Sequence, residues 1–327
     1  MNAFLLESRI LVTGGTGTFG SAFVQHLLRI PQVQRIVVFS RDEYKQSKMR
    51  ESLTDPRLRF FLGDVRDQER LMRAFQDIDI VVHAAALKQV PALEYNPLEA
   101  IKTNIIGTEN VINAALDNNV AKVLFISSDK AVHPVNLYGA TKLCAEKLCV
   151  AANVYRGQRY RTRFSVMRYG NVIGSRGSFV EQIEHQRKEG VIMLTDERMT
   201  RFWIALPRIM ELATSTLGEM HGGEIFVPKM QSAKVVDVIQ LLAPGCRINT
   251  IGMRHGEKLH EVLITDQEIP RTLETESFFI ITPAFGKEFG WTNAYYPNAS
   301  LVKSHFIYAS DHPELLVHPT TIEGLMV

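Results

Sequence analysis

The stretch Thr13-Gly14-Gly15-Thr16-Gly17-Thr18-Phe19-Gly20 constrains this chain more than any other. It follows an apolar, β-branched run, Arg9 to Thr13, and opens a helix. Glycine at 14, 17 and 20 lets the backbone turn tightly, so that the helix N-terminus presents amides and its positive dipole end to a pyrophosphate. The same glycines would also suit a tight turn that binds nothing. What separates the two is position, and a first strand before the turn with a helix after it is what a dinucleotide site requires. The predicted contact residues are Gly14, Thr16, Gly17, Thr18, Phe19 and Gly20.

Up to about residue 170 short apolar runs alternate with longer segments, the pattern of strands joined by helices in a parallel sheet. Strands are expected at Arg9 to Thr13, Arg35 to Ser40, Leu58 to Leu62, Ile78 to His83, Lys122 to Ser127 and Phe164 to Arg168. Asn96-Pro97 opens a helical stretch through Leu116, and Asn136 or a neighbour caps a helix carrying Tyr138 to Val154. Beyond 170 the signal shifts to short elements rich in Gly, Met and charge. The expected fold is therefore α/β, a doubly wound parallel sheet with a smaller C-terminal lobe. Residues 1–170 form the nucleotide-binding domain and 171–327 mainly a substrate-binding lobe, partly interleaved with it. The last forty residues, roughly Lys287 to Val327, carry no readable pattern.

At 327 residues the chain can bury a large core, and 46% hydrophobic with 22% charged residues excludes a disordered chain. A net charge of +2 gives no pull toward nucleic acid. No signal peptide is evident, and no apolar run reaches the about 18 residues of a membrane span, so a cytoplasmic protein is the expectation. Cys144, Cys149 and Cys246 fit a reducing compartment, and no metal-ligand spacing is present.

The second constellation is Ser128-Asp129-Lys130 followed by Tyr138-Gly139-Ala140-Thr141-Lys142. Tyr138 and Lys142 lie four apart on a helix, so the ammonium can lower the phenol's pKa and make it a base. That pair suits hydride chemistry at an alcohol. The acid and amine at 129 and 130 are surplus to it and point to a further step. For the dinucleotide, the deciding position at the end of the second strand holds Ser40, then Arg41, with Lys45 a turn later. These cations favour a 2′-phosphate, hence NADP, although Asp42 could turn back to serve NAD. Asp64-Val65 after the third strand is placed to meet the adenine. Ala84, Ala85 and Ala86 give small side chains where the cofactor passes; either group could instead be plain packing.

With these residues the chain resembles the extended short-chain dehydrogenase/reductase family, whose marks are a GxxGxxG turn and a Tyr-x-x-x-Lys pair. Within it, the sequence resembles the inverting UDP-N-acetylglucosamine 4,6-dehydratases that begin pseudaminic acid synthesis. The likeness rests on Ser40 to Glu43, Gly63 to Asp67, His83 to Pro91, Lys102 to Asn104, Ser128 to Ala131, Arg168 to Val172, Ser175 to Ser178, Met199 to Phe202 and His255 to Glu261. Retaining dehydratases of this scaffold usually show Asp-Glu where Asp129-Lys130 stands, carbon 4 epimerases usually lack the Asp, and a related capsule-synthesis group lacks the tyrosine. Ser128 stands where Thr is usual and keeps the hydroxyl.

The resemblance implies a Rossmann domain with a bound, recycled NADP and a homo-oligomer, often dimers assembled into hexamers. It also implies transient oxidation at carbon 4 by Tyr138 and Lys142, with Lys130, if neutral, taking the carbon 5 proton and Asp129, if protonated, releasing the carbon 6 hydroxyl. Ser128 completes the set. Lys88, Asn171, Arg176, Thr200, Arg201, Arg254 and Lys258 are the candidate contacts for the UDP-sugar. His255 and His260 read as structural, since no carboxylate or cysteine completes a metal set. A UDP-sugar 4-epimerase, or an NADP-binding regulator without chemistry, are the competing readings.

Overall fold

The computed structural model describes residues 3–155, 157, 160–174, 179–318 and 320–321. Strands β1 (Arg9–Thr13), β2 (Arg35–Ser40), β3 (Leu58–Leu62), β4 (Ile80–His83), β5 (Lys122–Ile126) and β6 (Arg163–Met167) pair in parallel in the order β6-β5-β4-β1-β2-β3. This is the doubly wound arrangement, and its chain reversal lies between β1 and β4, where ligands of such sheets bind beyond the carboxyl ends. The strands read as continuous apolar runs because helices cover both faces. Ile10, Leu11 and Val12 of β1 and Val81 and Val82 of β4 are all 0% exposed. The fourth strand begins at Ile80 rather than Ile78, since Asp77 takes a left-handed turn and the Ile78 amide closes onto the Phe75 carbonyl.

The helices of this half are α1 (Thr18–Leu28), α2 (Glu43–Ser52), α3 (Gln68–Ala74), α4 (Val90–Tyr95), α5 (Pro97–Ala100), α6 (Gly107–Asp117) and α7 (Leu137–Tyr155). The expected helix from Pro97 onward is broken in character: a π-helical turn at Ile101–Ile106 joins α5 to α6. The widened turn aims Asn104, 2% exposed, at the loop after β4. Its side chain bonds both the amide and carbonyl of Leu87 and the Thr141 hydroxyl on α7. At the start of α7 the Asn136 carboxamide oxygen accepts from the Gly139 amide, the capping bond expected of that residue.

Beyond residue 170 run β7 (Asn171–Ile173), α8 (Phe179–Arg187), β8 (Val191–Leu194), β9 (Thr200–Ala205), α9 (Leu206–Glu219), β10 (Ile225–Pro228), β11 (Gln231–Lys234), α10 (Val235–Leu242), β12 (Arg247–Thr250), β13 (Val262–Ile264), β14 (Thr272–Glu274), β15 (Phe278–Ile281), β16 (Ser300–Leu301) and β17 (Tyr308–Ala309). Four of these strands extend the central sheet to ten, in the order β16-β14-β15-β10 beside β6. Three strands, β11-β9-β7, and the pair β12-β8 form small sheets apart from it, packed with α8 and α10 around Ile183, Ile192, Leu194 and Ile239. Tail residues without a readable pattern are tied back by pairing: β16 adds to β14, and β17 adds to β13. The Tyr308 hydroxyl donates to the Pro228 carbonyl.

A buried ionic cluster joins the two halves. Arg168, just past β6 and 1% exposed, reaches Glu146 of α7 at 2.7 Å and Glu268 at 3.1 Å, and donates to the Leu263 carbonyl. One cation between two carboxylates leaves a surplus negative charge, and Lys142 sits one turn before Glu146 on the same helix. Buried charges persist only when paired in this way. Among the described residues no helix is long and apolar enough to cross a membrane.

Candidate active site

The carboxyl ends of the parallel strands open into a cleft of about 870 Å³ whose walls come from both halves of the chain. Its floor is the glycine turn. Gly14 has φ +64°, and a Cβ there would lie 2.8 Å from the Ala85 backbone; at Gly20 a Cβ would run into the Gly14 carbonyl. The β1 turn, the loop after β4 and α1 therefore meet with no side chain between them, which leaves room for a ligand backbone at the helix start. Gly17 caps α1 without a side-chain bond, so no capping side chain stands between the helix start and an anion. Thr16, Thr18, Phe19, Ala84 and Ala86 line the same region. Such a cradle fits a dinucleotide pyrophosphate.

The residues expected at the far end of a dinucleotide divide. Lys45 lines the cleft and pairs with Asp42 at 2.9 Å. Asp42 also caps α2 by accepting from the Lys45 amide, which occupies the acid that would serve a ribose. Arg41 stands at the rim, half exposed, 3.6 Å from Asp64, and Asp64 is held mainly by Arg66 at 2.8 Å. Ser40 is turned inward, its hydroxyl accepting from Gln46. Val65 is buried against Gly107, and Ala85 backs the Gly14 turn. Ser40, Val65 and Ala85 thus shape the site from behind.

On the opposite wall, Asp129–Ala131 is a single 3-10 turn directly after β5, capped by the Ser128 hydroxyl. Helix α7 lies against this turn so closely that a Cβ at Gly139 would overlap the Lys130 carbonyl. Tyr138, beside that glycine, is thereby fixed next to Ser128 and Lys130. Asp129 is 0% exposed, and its Oδ1 accepts from Ser128 Oγ at 2.7 Å and Lys130 Nζ at 3.0 Å, while Oδ2 has no partner. Burial opposes ionisation of Asp129, but the Lys130 charge and these two hydrogen bonds outweigh it and lower its pKa. Burial likewise works against the Lys130 ammonium, and Asp129 with Glu261 reverses the balance and raises its pKa. The resting pair is carboxylate and ammonium, the reverse of the neutral amine and protonated acid expected for catalysis.

Tyr138 departs from expectation as well. Burial raises the phenol's pKa, and the groups that pull it back down are Lys130 and the Ser128 hydroxyl, not Lys142. The four-residue spacing does place Lys142 on the same face of α7, but its ammonium is captured by the Ile126 carbonyl at 2.5 Å and lies 4.1 Å from the Phe125 ring centre. Burial lowers the Lys142 pKa to about 8, with Glu146 opposing. His83, also fully buried, bridges the Thr13 and Thr108 hydroxyls and is held neutral by burial.

Among the candidate substrate contacts, Lys88, Asn171, Arg201, Arg254 and Lys258 line the cleft. Burial lowers the Lys88 pKa, with the Lys130 charge adding to it. Asn171 Oδ1 is buried without a partner, and an amide with an unspent acceptor at a cleft wall is available to a ligand donor. Arg201 is committed to shape: it donates to the carbonyls of Thr200, Lys258 and Leu259. Lys258 Nζ donates to the Val132 carbonyl at 2.6 Å and pairs with Glu261 at 3.1 Å. Thr200 does not reach the cleft. It is 2% exposed and its hydroxyl lies 2.8 Å from His260 Nδ1 and 2.7 Å from Ser310 Oγ, because strand alternation turns it inward at the start of β9. Arg176 lies outside the described residues. Sequence reasoning passed over Glu261 and Tyr169. Glu261 pairs with Lys258 at 3.1 Å in a segment outside any helix or strand, so no helical spacing announces it. The Tyr169 carbonyl accepts from the Asp129 amide. Among the described residues no group of three or more His, Cys, Asp or Glu is arranged to hold a metal.

A Rossmann sheet, a glycine cradle and a Tyr-x-x-x-Lys helix facing one cleft define a short-chain dehydrogenase/reductase of the extended type. More narrowly, residues 10–283 match the family described as polysaccharide biosynthesis protein, and the chain belongs to it. A UDP-N-acetylglucosamine 4,6-dehydratase (inverting) from Campylobacter jejuni is 47% identical over 94% of both chains. A UDP-glucose 4-epimerase from Rickettsia bellii is 40% identical over 88% of this chain and 86% of its own. The X-ray structure of Pen from Bacillus thuringiensis superposes with a TM-score of 0.90 at 37% identity, covering 99% of this chain and 98% of that one. At 22% identity, DesIV from Streptomyces venezuelae, a dTDP-glucose 4,6-dehydratase solved with NAD and TYD bound, shares the fold. Its TM-score is 0.69, over 88% of this chain and 97% of that one.

The Lys142 environment gives a signed prediction. Its folded pKa of about 8 lies below the ordinary lysine value of 10.5, so the native state releases the proton first and gains stability as pH rises between those values. At about 1.4 kcal/mol per pKa unit, wild type should gain roughly 3 kcal/mol over Lys142→Met between about pH 7 and pH 11. Urea unfolding of both proteins at the two pH values measures it; a difference that stays flat contradicts the buried, strained ammonium.

Proposed function

We propose that the chain is a UDP-N-acetylglucosamine 4,6-dehydratase that inverts carbon 5 and gives a UDP-4-keto-6-deoxy-hexosamine. The observation that carries this reading is the Asp129–Lys130 ion pair held at 3.0 Å on the same cleft wall as Tyr138. A 4-epimerase needs the phenol and leaves that pair idle. A dehydratase needs an acid and a base beside the phenol, and the Campylobacter jejuni relative carries that activity in its name.

Tyr138 removes the carbon 4 hydroxyl proton, helped by the Lys130 charge and the Ser128 hydroxyl. Held by the cradle of Gly14, Gly17 and Gly20, a nicotinamide cofactor would supply reversible hydride acceptance and a positive charge to the site. The carbon 4 ketone acidifies the carbon 5 proton. A proton shift along the hydrogen bond from Lys130 Nζ to Asp129 Oδ1 turns ammonium and carboxylate into amine and acid without creating net charge. Lys130 then accepts the carbon 5 proton, and Asp129 gives its proton to the hydroxyl leaving carbon 6 as water. The ion pair is restored, and a solvent proton delivered to carbon 5 from the opposite face sets the inversion, while Tyr138 returns to solvent the proton it took from carbon 4. Each positioned acid or base contributes on the order of a hundredfold to ten-thousandfold. Adjacent groups titrate as a pair, so the proton shift belongs to Asp129 and Lys130 jointly.

Lys88, Asn171 and Arg254, which line the cleft, are the proposed contacts to the nucleotide and sugar, with Arg201 and Lys258 shaping the loop beneath them. For the cofactor, Arg41 and Lys45 at the end of β2 favour the 2′-phosphate of NADP over NAD, as Asp42 is spent on capping α2 and pairing with Lys45. A nucleotide-sugar enzyme with three free thiols belongs in the cytoplasm, upstream of pseudaminic acid and surface-glycan assembly. Tyr95, Leu98 and Ile106, exposed on and beside the helix from Pro97 to Asp117, offer an apolar face for a homo-oligomer, whose mass by light scattering should exceed one chain's 37.0 kDa.

Incubation with UDP-N-acetylglucosamine in heavy water, followed by NMR, tests the reaction. The expected product is a 4-keto-6-deoxy sugar with deuterium at carbon 5 and inverted configuration. Inversion at carbon 4 alone supports the epimerase, and no turnover supports the regulator. Cofactor extracted from the same preparation should be NADP with no net reduction after turnover; NAD in the extract contradicts the role given to Arg41 and Lys45.

A further inference from the structure

The wall formed by Ser128, Lys130 and Tyr138, with Asp129 buried behind it, is completed from the other half of the chain by Glu261, which the dehydration steps do not use. Glu261 is 3% exposed and lines the cleft. Its main chain is clamped on both sides: its amide donates to Ser310 Oγ at 2.9 Å and its carbonyl accepts from the Ser310 amide at 2.8 Å. Ser310 is in turn fixed to Thr200. The carboxylate placed by this clamp has one oxygen 3.1 Å from Lys258 Nζ and the other 3.7 Å from Lys130 Nζ. Lys258 also donates to the Val132 carbonyl, the first residue after the Asp129–Ala131 turn. Two side chains three residues apart thus grip the catalytic turn at its backbone and at its ammonium.

We propose that Glu261 is a positioning residue for Lys130 and that Lys258 keeps its carboxylate paired while Lys130 passes its proton to Asp129. The proposal rests on the dehydratase reading above. Asp129 is the immediate neighbour of Lys130 in the chain, so on its own it would draw a long flexible side chain back against the turn. A second carboxylate, anchored across the cleft, gives the ammonium a fixed direction. The charge count supports the other half. Asp129 and Glu261 are matched by Lys130 and Lys258, Arg201 and Lys88 add further positive charge around Lys130, Glu181 acts on Lys88, and the Tyr138 phenol lies beside them. When the proton moves from Lys130 to Asp129, Glu261 keeps Lys258 as its partner. No carboxylate is left alone in a site where an unpaired charge is costly. Without Lys258, Glu261 would hold the ammonium and oppose the transfer.

Two readouts test this, one of them independent of turnover. Wild type, Glu261→Gln and Glu261→Asp are treated with trinitrobenzenesulfonate at fixed pH, and labelling of Lys130 is compared by mass spectrometry with that of the surface residue Lys48. Loss of the Glu261 charge should speed labelling of Lys130 about tenfold for each pKa unit by which its ammonium is weakened, while Glu261→Asp stays near wild type. In turnover of UDP-N-acetylglucosamine, Glu261→Gln should lose at least about tenfold in kcat with KM little changed and a shifted pH profile, and Glu261→Asp should recover part of it. If wild type makes no keto sugar, the dehydratase reading fails, and the labelling alone decides whether Glu261 holds Lys130. Unchanged labelling in Glu261→Gln overturns the proposal. So does a loss of unfolding stability that both variants share in proportion to their loss of activity, since that assigns Glu261 to the fold.

Discussion

Helix α7 lies on the turn after β5 with only a glycine between them, and the chemistry of the molecule depends on that contact. A Cβ at Gly139 would occupy the position of the Lys130 carbonyl. The close approach puts two kinds of catalytic group in one register: the phenol of Tyr138 from the helix, and the acid and amine of Asp129 and Lys130 from the turn. Everything else near the site maintains this contact. Asn136 caps the helix, Asn104 and its π-helical turn brace α7 from the side, and Arg168 pins Glu146 one turn beyond Lys142. A cleft built this way is preorganised, because the groups are held by backbone and buried ion pairs rather than by loops that must close.

The electrostatics follow from the same geometry. A fully buried aspartate would ordinarily be neutral, and a buried lysine would ordinarily lose its proton. Side by side they hold each other charged, and the proton between them can move without leaving net charge behind. That neutrality is what lets an acid and a base of very different intrinsic strength exchange roles within one hydrogen bond. The positive charge on Lys130 also bears on Tyr138, so the pair proposed for elimination would assist the phenol proposed for oxidation. Lys142 does a different job in this structure, fastened to the Ile126 carbonyl beneath the site.

The parallel strands were legible in the sequence because a strand buried on both faces must be apolar throughout, and β1 and β2 fall on the runs that read that way. The glycine turn and the Tyr138 to Lys142 helix were legible because their chemistry lies within short, continuous stretches. The rest depends on partners distant in the chain. No local pattern announces that β10, β15, β14 and β16 extend the central sheet, since each is a few residues long and exists through its neighbour. Thr200 lies in a matched motif yet turns inward, and only the Ser310 and His260 contacts reveal it. The direction of the Lys142 ammonium was settled by a carbonyl on β5, and the charge of Lys130 by Asp129 together with Glu261 from the other half of the chain. Helical spacing says which face a residue occupies and is silent on what waits there.

The central claim is that oxidation by Tyr138 and elimination by Asp129–Lys130 are separate steps carried by separate groups in one cleft. Single-turnover mixing of Lys130→Met with UDP-N-acetylglucosamine, followed by the absorbance of reduced nicotinamide, tests it most directly. The account predicts that reduced cofactor builds up and persists while no 4-keto-6-deoxy sugar forms. Inverted product released at the wild-type rate, or a variant that cannot reduce its cofactor although it binds both ligands, would contradict it.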